Sequence, residues 1–323
     1  MGELADRRLQ TGERLTQLRE ELKGAAELAD GKACVYATGS FGRCEASAHS
    51  DLDLFILGKR NGKAGPDGME GSLLRGLDEI CIKADLIEVT RKLGIPEFSG
   101  DGRYLTHYSV HEFTKALGTP EDDVTNTFTA RLLLLLESRP LVGRTVYQEN
   151  IEEVVAQYWR DYGDHKTDFM PAFLANDILR LWRTFCVNYE ARTERVPDKQ
   201  KAKGKLKNYK LKHSRLLTCY SALLYLLSVY HSARTVTPID ASEMAAMTPT
   251  ERIEWLRRQA DLADARPALD ELLTAYERFL DSTDMSEAEL VRKFLTAATR
   301  REYMEHAHHF GDLVFRFHRW LVV

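Results

Sequence analysis

Thr38-Gly39-Ser40, ten residues, then Asp51-Leu52-Asp53-Leu54-Phe55-Ile56-Leu57: this stretch decides the fold of the first half of the chain. The run before it, Ala33-Cys34-Val35-Tyr36-Ala37, is short, apolar and rich in strand formers, and it stops at a glycine. The run from Asp51 alternates acid with apolar residue and then turns wholly apolar, as a strand does on passing from an exposed end into a core. Two acids at i and i+2 of a strand point to the same face. Their like charges repel unless a cation stands between them. A divalent ion such as Mg²⁺ meets that need, because it prefers carboxylate oxygens and accepts substrate phosphates as further ligands. Gly39 lets a phosphate approach the backbone closely, and Ser40 offers a hydroxyl and an N–H at the start of a short helix. Strand, Gly-Ser bend, short helix and Asp-x-Asp strand together describe a cradle for a metal and a phosphate chain.

Outward from this motif, residues 3–29 read as a helix, with Leu15, Leu18 and Leu22 at helical spacing and Gly31 as a stop. Gly58 to Gly71 reads as a loop. Residues 72–93 fit a helix through Leu73, Leu77, Ile80 and Ala84, although Ile82 to Ile87 alone could form a strand; the longer spacing favours the helix. Tyr104–Val110 reads as a strand and about 122–138 as a helix ended by Arg139-Pro140. Beyond about 146 the strand signals fade, and apolar-periodic segments follow at 149–161, 171–191, 205–231, 240–259, 267–281, 286–299 and 301–321. Three carry capping-box starts, at Asp240…Glu243, Thr248…Glu251 and Ser286…Glu289. The expectation is an α+β chain: a small mixed β-sheet domain flanked by helices over 1–145, followed by an all-helical domain over 146–323.

The bulk numbers agree. A chain of 323 residues exceeds one average domain. With 44% hydrophobic and 29% charged residues it has globular composition. A net charge of −4 makes any contact with nucleic acid a local matter. The cysteines at 34, 44, 81, 186 and 219 have no Cys-x-x-Cys spacing and read as buried reduced thiols. The charged N-terminus lacks a signal-peptide core, and no run approaches the roughly 20 apolar residues of a membrane helix. The expectation is a soluble, cytoplasmic protein with no membrane partner.

Gly-Ser followed by about ten residues and Asp-h-Asp-h-h, where h is apolar, resembles the signature of the DNA polymerase β-like nucleotidyltransferases. Gly39-Ser40-Phe41-Gly42-Arg43-Cys44-Glu45 with Ser50-Asp51-Leu52-Asp53-Leu54 is most similar to the bacterial branch around the protein uridylyltransferases. Leu135-Leu136-Glu137-Ser138-Arg139-Pro140-Leu141 and Asn176–Thr184 resemble that branch more loosely. The resemblance is sharp over 35–58, loose over 100–190 and absent beyond about 220. It implies a two-metal mechanism, with Asp51 and Asp53 as catalytic metal ligands, Mg²⁺ (or Mn²⁺) as cofactor and a nucleoside triphosphate such as ATP as substrate. An acceptor hydroxyl attacks the α-phosphate and pyrophosphate leaves. Gly39 and Ser40 would hold the outer phosphates, with Arg43 neutralising charge nearby. The family supplies a third carboxylate from a later strand. Here Asp85 fits if 80–88 is a strand, and Asp101 or Glu112 fits if Tyr104–Val110 is that strand.

In the second half, Asn176, Arg180 and Arg183 fall at i, i+4 and i+7 and share a helix face suited to phosphate or acceptor contacts. Residues 199–215 contain seven lysines and Arg215 with no acid, and Lys207 and Lys210 share one face. That face suits the nucleotide's phosphates or an RNA acceptor. The expected activity is transfer of a nucleoside monophosphate to a hydroxyl on a macromolecule, a protein or an RNA 3′ end. The alternatives are a small-molecule nucleotidyltransferase, or a nucleotide-binding regulator or toxin-system component without turnover.

Overall fold

The computed structural model describes residues 2–65, 68–98, 105–190 and 197–322. Two compact units form, Ala5–Arg160 and Asp161–Val323, the latter including the first four residues. The architecture is α+β with a large helical part.

The first unit begins with α1 (Glu3–Glu21) and α2 (Lys23–Ala29), then β1 (Ala33–Thr38), the single-turn α3 (Gly39–Gly42) and β2 (Asp53–Gly58). A hairpin of β3 (Arg60–Ala64) and β4 (Glu70–Ser72) leads to α4 (Gly76–Lys92). There follow β5 (His107–Ser109), α5 (Val110–Lys115), α6 (Glu121–Val124), α7 (Thr127–Leu136), β6 (Arg139–Val142) and α8 (Arg144–Tyr158). The main sheet has the order β5-β2-β1-β6. β1 is antiparallel to both β2 and β6, while β2 and β5 run parallel.

All six residues of β1 are buried, as a central strand covered on both faces requires. Period-two alternation divides the faces. Val35, Ala37, Leu54 and Ile56 enter a core with Leu15 and Leu18 of α1, Ala25 of α2 and Ile82 and Leu86 of α4. On the opposite face Tyr36 stacks on Phe55 at 5.6 Å and meets Tyr147 of α8 at 6.0 Å between ring centroids. The Asn150 amide of α8 donates to the Leu57 carbonyl at 3.3 Å. Helix α8 therefore counts with the first unit, and the boundary expected near 145 falls after Arg160.

Several local expectations are corrected. Gly58–Gly71 holds the β3–β4 hairpin rather than a loop; its strands are polar and exposed, so no apolar alternation announces them. The helix expected over 122–138 breaks at Asn126, whose φ is +60°, and Arg139-Pro140, expected to end it, opens β6. Proline is tolerated there because β6 is an edge strand. Tyr104 lies outside the described residues; from 105 to 110 only His107–Ser109 is strand, because Ser109 and Glu112 form a capping box that starts α5. His107 bridges Glu79 of α4 (2.8 Å) and Ser72 of β4 (2.9 Å), which ties the hairpin to the sheet. Cys81 is exposed rather than buried, while Cys34 and Cys219 are buried.

The second unit consists of α9 (Ala172–Glu190), α10 (Asp198–Lys210), a π segment (Leu211–Arg215), α11 (Leu216–Ala233), α12 (Pro238–Ala246), α13 (Pro249–Arg258), α14 (Arg266–Ser282), α15 (Glu287–Leu295) and α16 (Ala297–Val322), with short 3₁₀ turns. Boxes at Thr248…Glu251 and Ser286…Glu289 are present. The first box is Thr237…Asp240, three residues before the expected Asp240…Glu243, because Pro238 bars its predecessor from the helix. Pro249 likewise splits the segment expected over 240–259 into α12 and α13. The buried Arg252 guanidinium joins these pieces, donating to Met244 O at 2.9 Å, Met247 O at 3.0 Å and Ser221 Oγ of α11 at 3.2 Å. Among the described residues one stretch, Lys199–Ala233, is long and apolar enough to cross a membrane, and 67% of its apolar window is buried inside the protein.

His213 lies in the π segment at the centre of this unit. Its ring stacks on Phe279 at 4.5 Å and Phe310 at 4.9 Å, and Nδ1 donates to Tyr209 O at 2.9 Å. Burial pushes its pKa down to about 4, against the raising effect of the Tyr209 carbonyl and with smaller lowering contributions from His306 and Lys212. The folded state therefore holds the neutral ring. Stability from this residue is fully present above the ordinary imidazole pKa of about 6.5 and is lost as pH falls from there towards about 4. The loss should reach about 3 kcal/mol at the acid end. In thermal unfolding from pH 7 to 4.5, His213→Phe should show a shallower decline than the wild type. Equal slopes would refute a neutral buried His213.

Candidate functional site

The site is built on the end of β1 and the start of β2. Thr38 pairs with Asp53 across the two strands. Asp51 and Asp53 are exposed while Leu52 and Leu54 are buried; Asp53 opens β2 and Asp51 lies two residues before it. The adjoining bend begins at Gly39, whose φ is +64°. That conformation costs a residue bearing a Cβ roughly 1–2 kcal/mol. A Cβ at position 39 would also stand 2.6 Å from Asp53 Oδ2. Glycine at 39 is what lets the Asp53 carboxylate lie directly against the bend.

Helix α3 is a single turn. The N–H of Arg43 donates to Gly39 O at 3.0 Å and that of Glu45 to Ser40 O at 2.9 Å. Behind it lies a buried ionic group of Arg43, Glu45 and Glu137. Arg43 Nη1 donates to Glu137 Oε2 at 2.9 Å, and Arg43 Nε is bonded to Glu45. The other Glu137 oxygen, Oε1, accepts the Gly39 N–H at 3.2 Å. Gly42 permits the close fit, since a Cβ there would stand 2.1 Å from the Glu137 carbonyl oxygen.

Gly39 and Asp53 are brought together, with Ser40 next along the bend and Asp51 exposed two residues before β2. Arg43, expected to face a phosphate, is turned inward onto two carboxylates and orders the bend. Asp85 lies on α4, not on a strand, with its carboxylate against α2; a Cβ on Gly24 would stand 2.7 Å from Asp85 Oδ2. Glu112 is engaged in its capping box, accepting the Ser109 N–H at 2.6 Å. Asp101 lies outside the described residues. Among the described residues no set of three or more Asp, Glu, His or Cys side chains is arranged to hold a metal ion. What suits a cation here is the presence of two exposed acids, Asp51 and Asp53, with the Asp53 carboxylate against the bend.

The residues expected in the second half belong to the second unit. Asn176 and Arg183 are exposed on α9, and Arg180 lies 3.8 Å from the buried Asp177. Lys207 and Lys210 are exposed on α10, which is helical from Asp198 to Lys210. Part of that lysine face meets α15: Lys203 pairs with Glu287 at 2.6 Å, and the lysines at 203, 207 and 210 hold the Glu287 carboxyl below its usual range.

Glu137 is the residue that sequence reading left without a role. It stands 98 positions from the glycine it binds, and its one local signal was an acid directly after the apolar run Leu132–Leu136. No family model, curated protein or solved structure matches the chain.

Removing Arg43 leaves Glu45 and Glu137 buried without their shared guanidinium. Arg43→Met should destabilise the first unit by about 3–5 kcal/mol, the usual cost of stranding buried charge. Urea unfolding measures it. A change under about 1 kcal/mol, typical of an exposed arginine pair, would contradict the inward assignment.

Proposed function

We propose that this chain is a metal-dependent nucleotidyltransferase that moves a nucleoside monophosphate from a nucleoside triphosphate to a hydroxyl on a macromolecule, releasing pyrophosphate. The observation that carries this reading is at residue 39: a bend with positive φ and no side chain, with the Asp53 carboxylate directly against it and Asp51 and Asp53 both exposed. Asp51 and Asp53 would hold Mg²⁺, or Mn²⁺ in its place. When bound, the ion neutralises phosphate oxygens and lowers the pKa of the attacking hydroxyl. Ser40 would offer its hydroxyl to the outer phosphates, and the glycine bend would let them come close to the backbone. The acceptor oxygen forms its bond to the α-phosphorus as the bond to the pyrophosphate oxygen breaks. The exposed Lys207 and Lys210 on α10 support a large, anionic acceptor such as RNA over a cationic small molecule.

A second reading, a nucleotide-binding regulator without turnover, is favoured by the commitments of Asp85 to a helix and Glu112 to a cap. One experiment separates the two. Wild type, Asp51→Asn and Asp53→Asn proteins are incubated with α-labelled nucleotides, Mg²⁺ and cell extract. Transferase activity predicts a macromolecule labelled by the wild type only, with both variants at background. Nucleotide binding without labelling would favour the regulator. Equal labelling by all three would remove Asp51 and Asp53 from the chemistry.

A further inference from the structure

We infer that Glu137 is the positioning residue of the phosphate cradle: it touches no substrate, and it sets nucleotide affinity by holding the Gly39–Ser40 bend. This inference rests on the nucleotidyltransferase reading for its functional consequence, but its geometric part stands alone.

The case begins with how the Glu137 carboxylate is divided. Oε1 accepts the N–H of Gly39, the first residue of the bend, and Oε2 accepts from the guanidinium of Arg43, the residue that closes it. One side chain therefore spans the bend from end to end. The main chain of Glu137 supports it from below, because Gly42 lies directly on its carbonyl oxygen. Glu45 accepts from the same guanidinium, so Arg43 is held from two sides. Glu137 is 1% exposed, which removes it from direct contact with a ligand in the open part of the site.

Two consequences follow for the cradle. The Gly39 amide is already engaged, so phosphate recognition at the bend falls to Ser40 rather than to both residues as the motif alone suggests. The positive φ of Gly39 is also fixed by a partner from a distant segment, and a bend fixed before the ligand arrives loses less freedom on binding. A carboxylate carries the same sign of charge as a phosphate, so Glu137 serves by its reach across the bend and not by attracting the ligand.

Reach and charge separate in two conservative variants. Glu137→Gln keeps the length and an oxygen acceptor for the Gly39 N–H but drops the charge. Glu137→Asp keeps the charge for Arg43 but withdraws from Gly39. Three readouts are taken on each: hydrogen exchange of the Gly39 amide, calorimetric binding of Mg²⁺ with α,β-methylene analogues of the four nucleoside triphosphates, and melting temperature. Glu137→Asp should exchange Gly39 at least tenfold faster and bind the analogue at least tenfold more weakly. Glu137→Gln should stay within threefold of wild type in exchange and bind at least as tightly, even though loss of the Arg43 ion pair lowers its melting temperature. A merely structural glutamate would instead make binding follow melting temperature, with Gln the weaker binder; that pattern overturns the inference. Unchanged Gly39 exchange in Glu137→Asp overturns it as well. If the wild type binds none of the four analogues, the nucleotidyltransferase reading fails, and Gly39 exchange alone decides whether Glu137 holds the bend.

Discussion

The first unit's site depends on one buried carboxylate that faces two ways. Glu137 closes α7 and binds both ends of a turn almost a hundred residues earlier in the chain. Burying an acid is costly unless it is paired and hydrogen-bonded. Here Arg43 supplies the opposite charge and Gly39 an N–H, and neither partner can be removed without stranding the acid. The bend between β1 and β2 is therefore coupled to the core beneath it. Loops in general are free to vary because little holds their backbone; this one is held at its first and last residues.

The end of the sheet also presents two exposed acids, Asp51 and Asp53. A bare phosphate chain would be repelled from such a surface. A divalent cation reverses the balance, which is why two exposed acids and a glycine bend are more readily understood together than apart. The absence of a Cβ at position 39 matters because it lets the Asp53 carboxylate lie directly against the bend.

The sequence conveyed the parts whose determinants are local. β1, the glycine bend, β2 and the helical character of 76–92 follow from apolar runs, from a residue able to adopt positive φ and from helical spacing over several turns. The same holds for the second unit, where Thr-Pro and Ser starts mark helix beginnings. Polar elements were hidden: the β3–β4 hairpin buries too little to leave a pattern, and β6 carries a proline as its second residue, which reads as a stop. At the candidate site, the Gly39 bend and its neighbour Asp53 were legible, both in one short window. It was not legible at Arg43, whose inward turn depends on Glu45 and on distant Glu137, nor at Asp85, whose helix and whose neighbour Gly24 are set by packing of α2 on α4. Side-chain direction is a tertiary property there, and spacing alone does not encode it.

The central proposal is that Asp51 and Asp53 share a cation with a nucleotide's phosphates at the Gly39–Ser40 bend. The most direct measurement is Mn²⁺ binding followed by electron paramagnetic resonance, with and without a non-hydrolysable nucleoside triphosphate analogue. A shared site predicts that the analogue strengthens Mn²⁺ binding in the wild type and that an Asp51→Asn, Asp53→Asn double variant loses that strengthening while its fold, read by far-ultraviolet circular dichroism, is unchanged. Mn²⁺ and analogue binding to the double variant as they do to the wild type would contradict it.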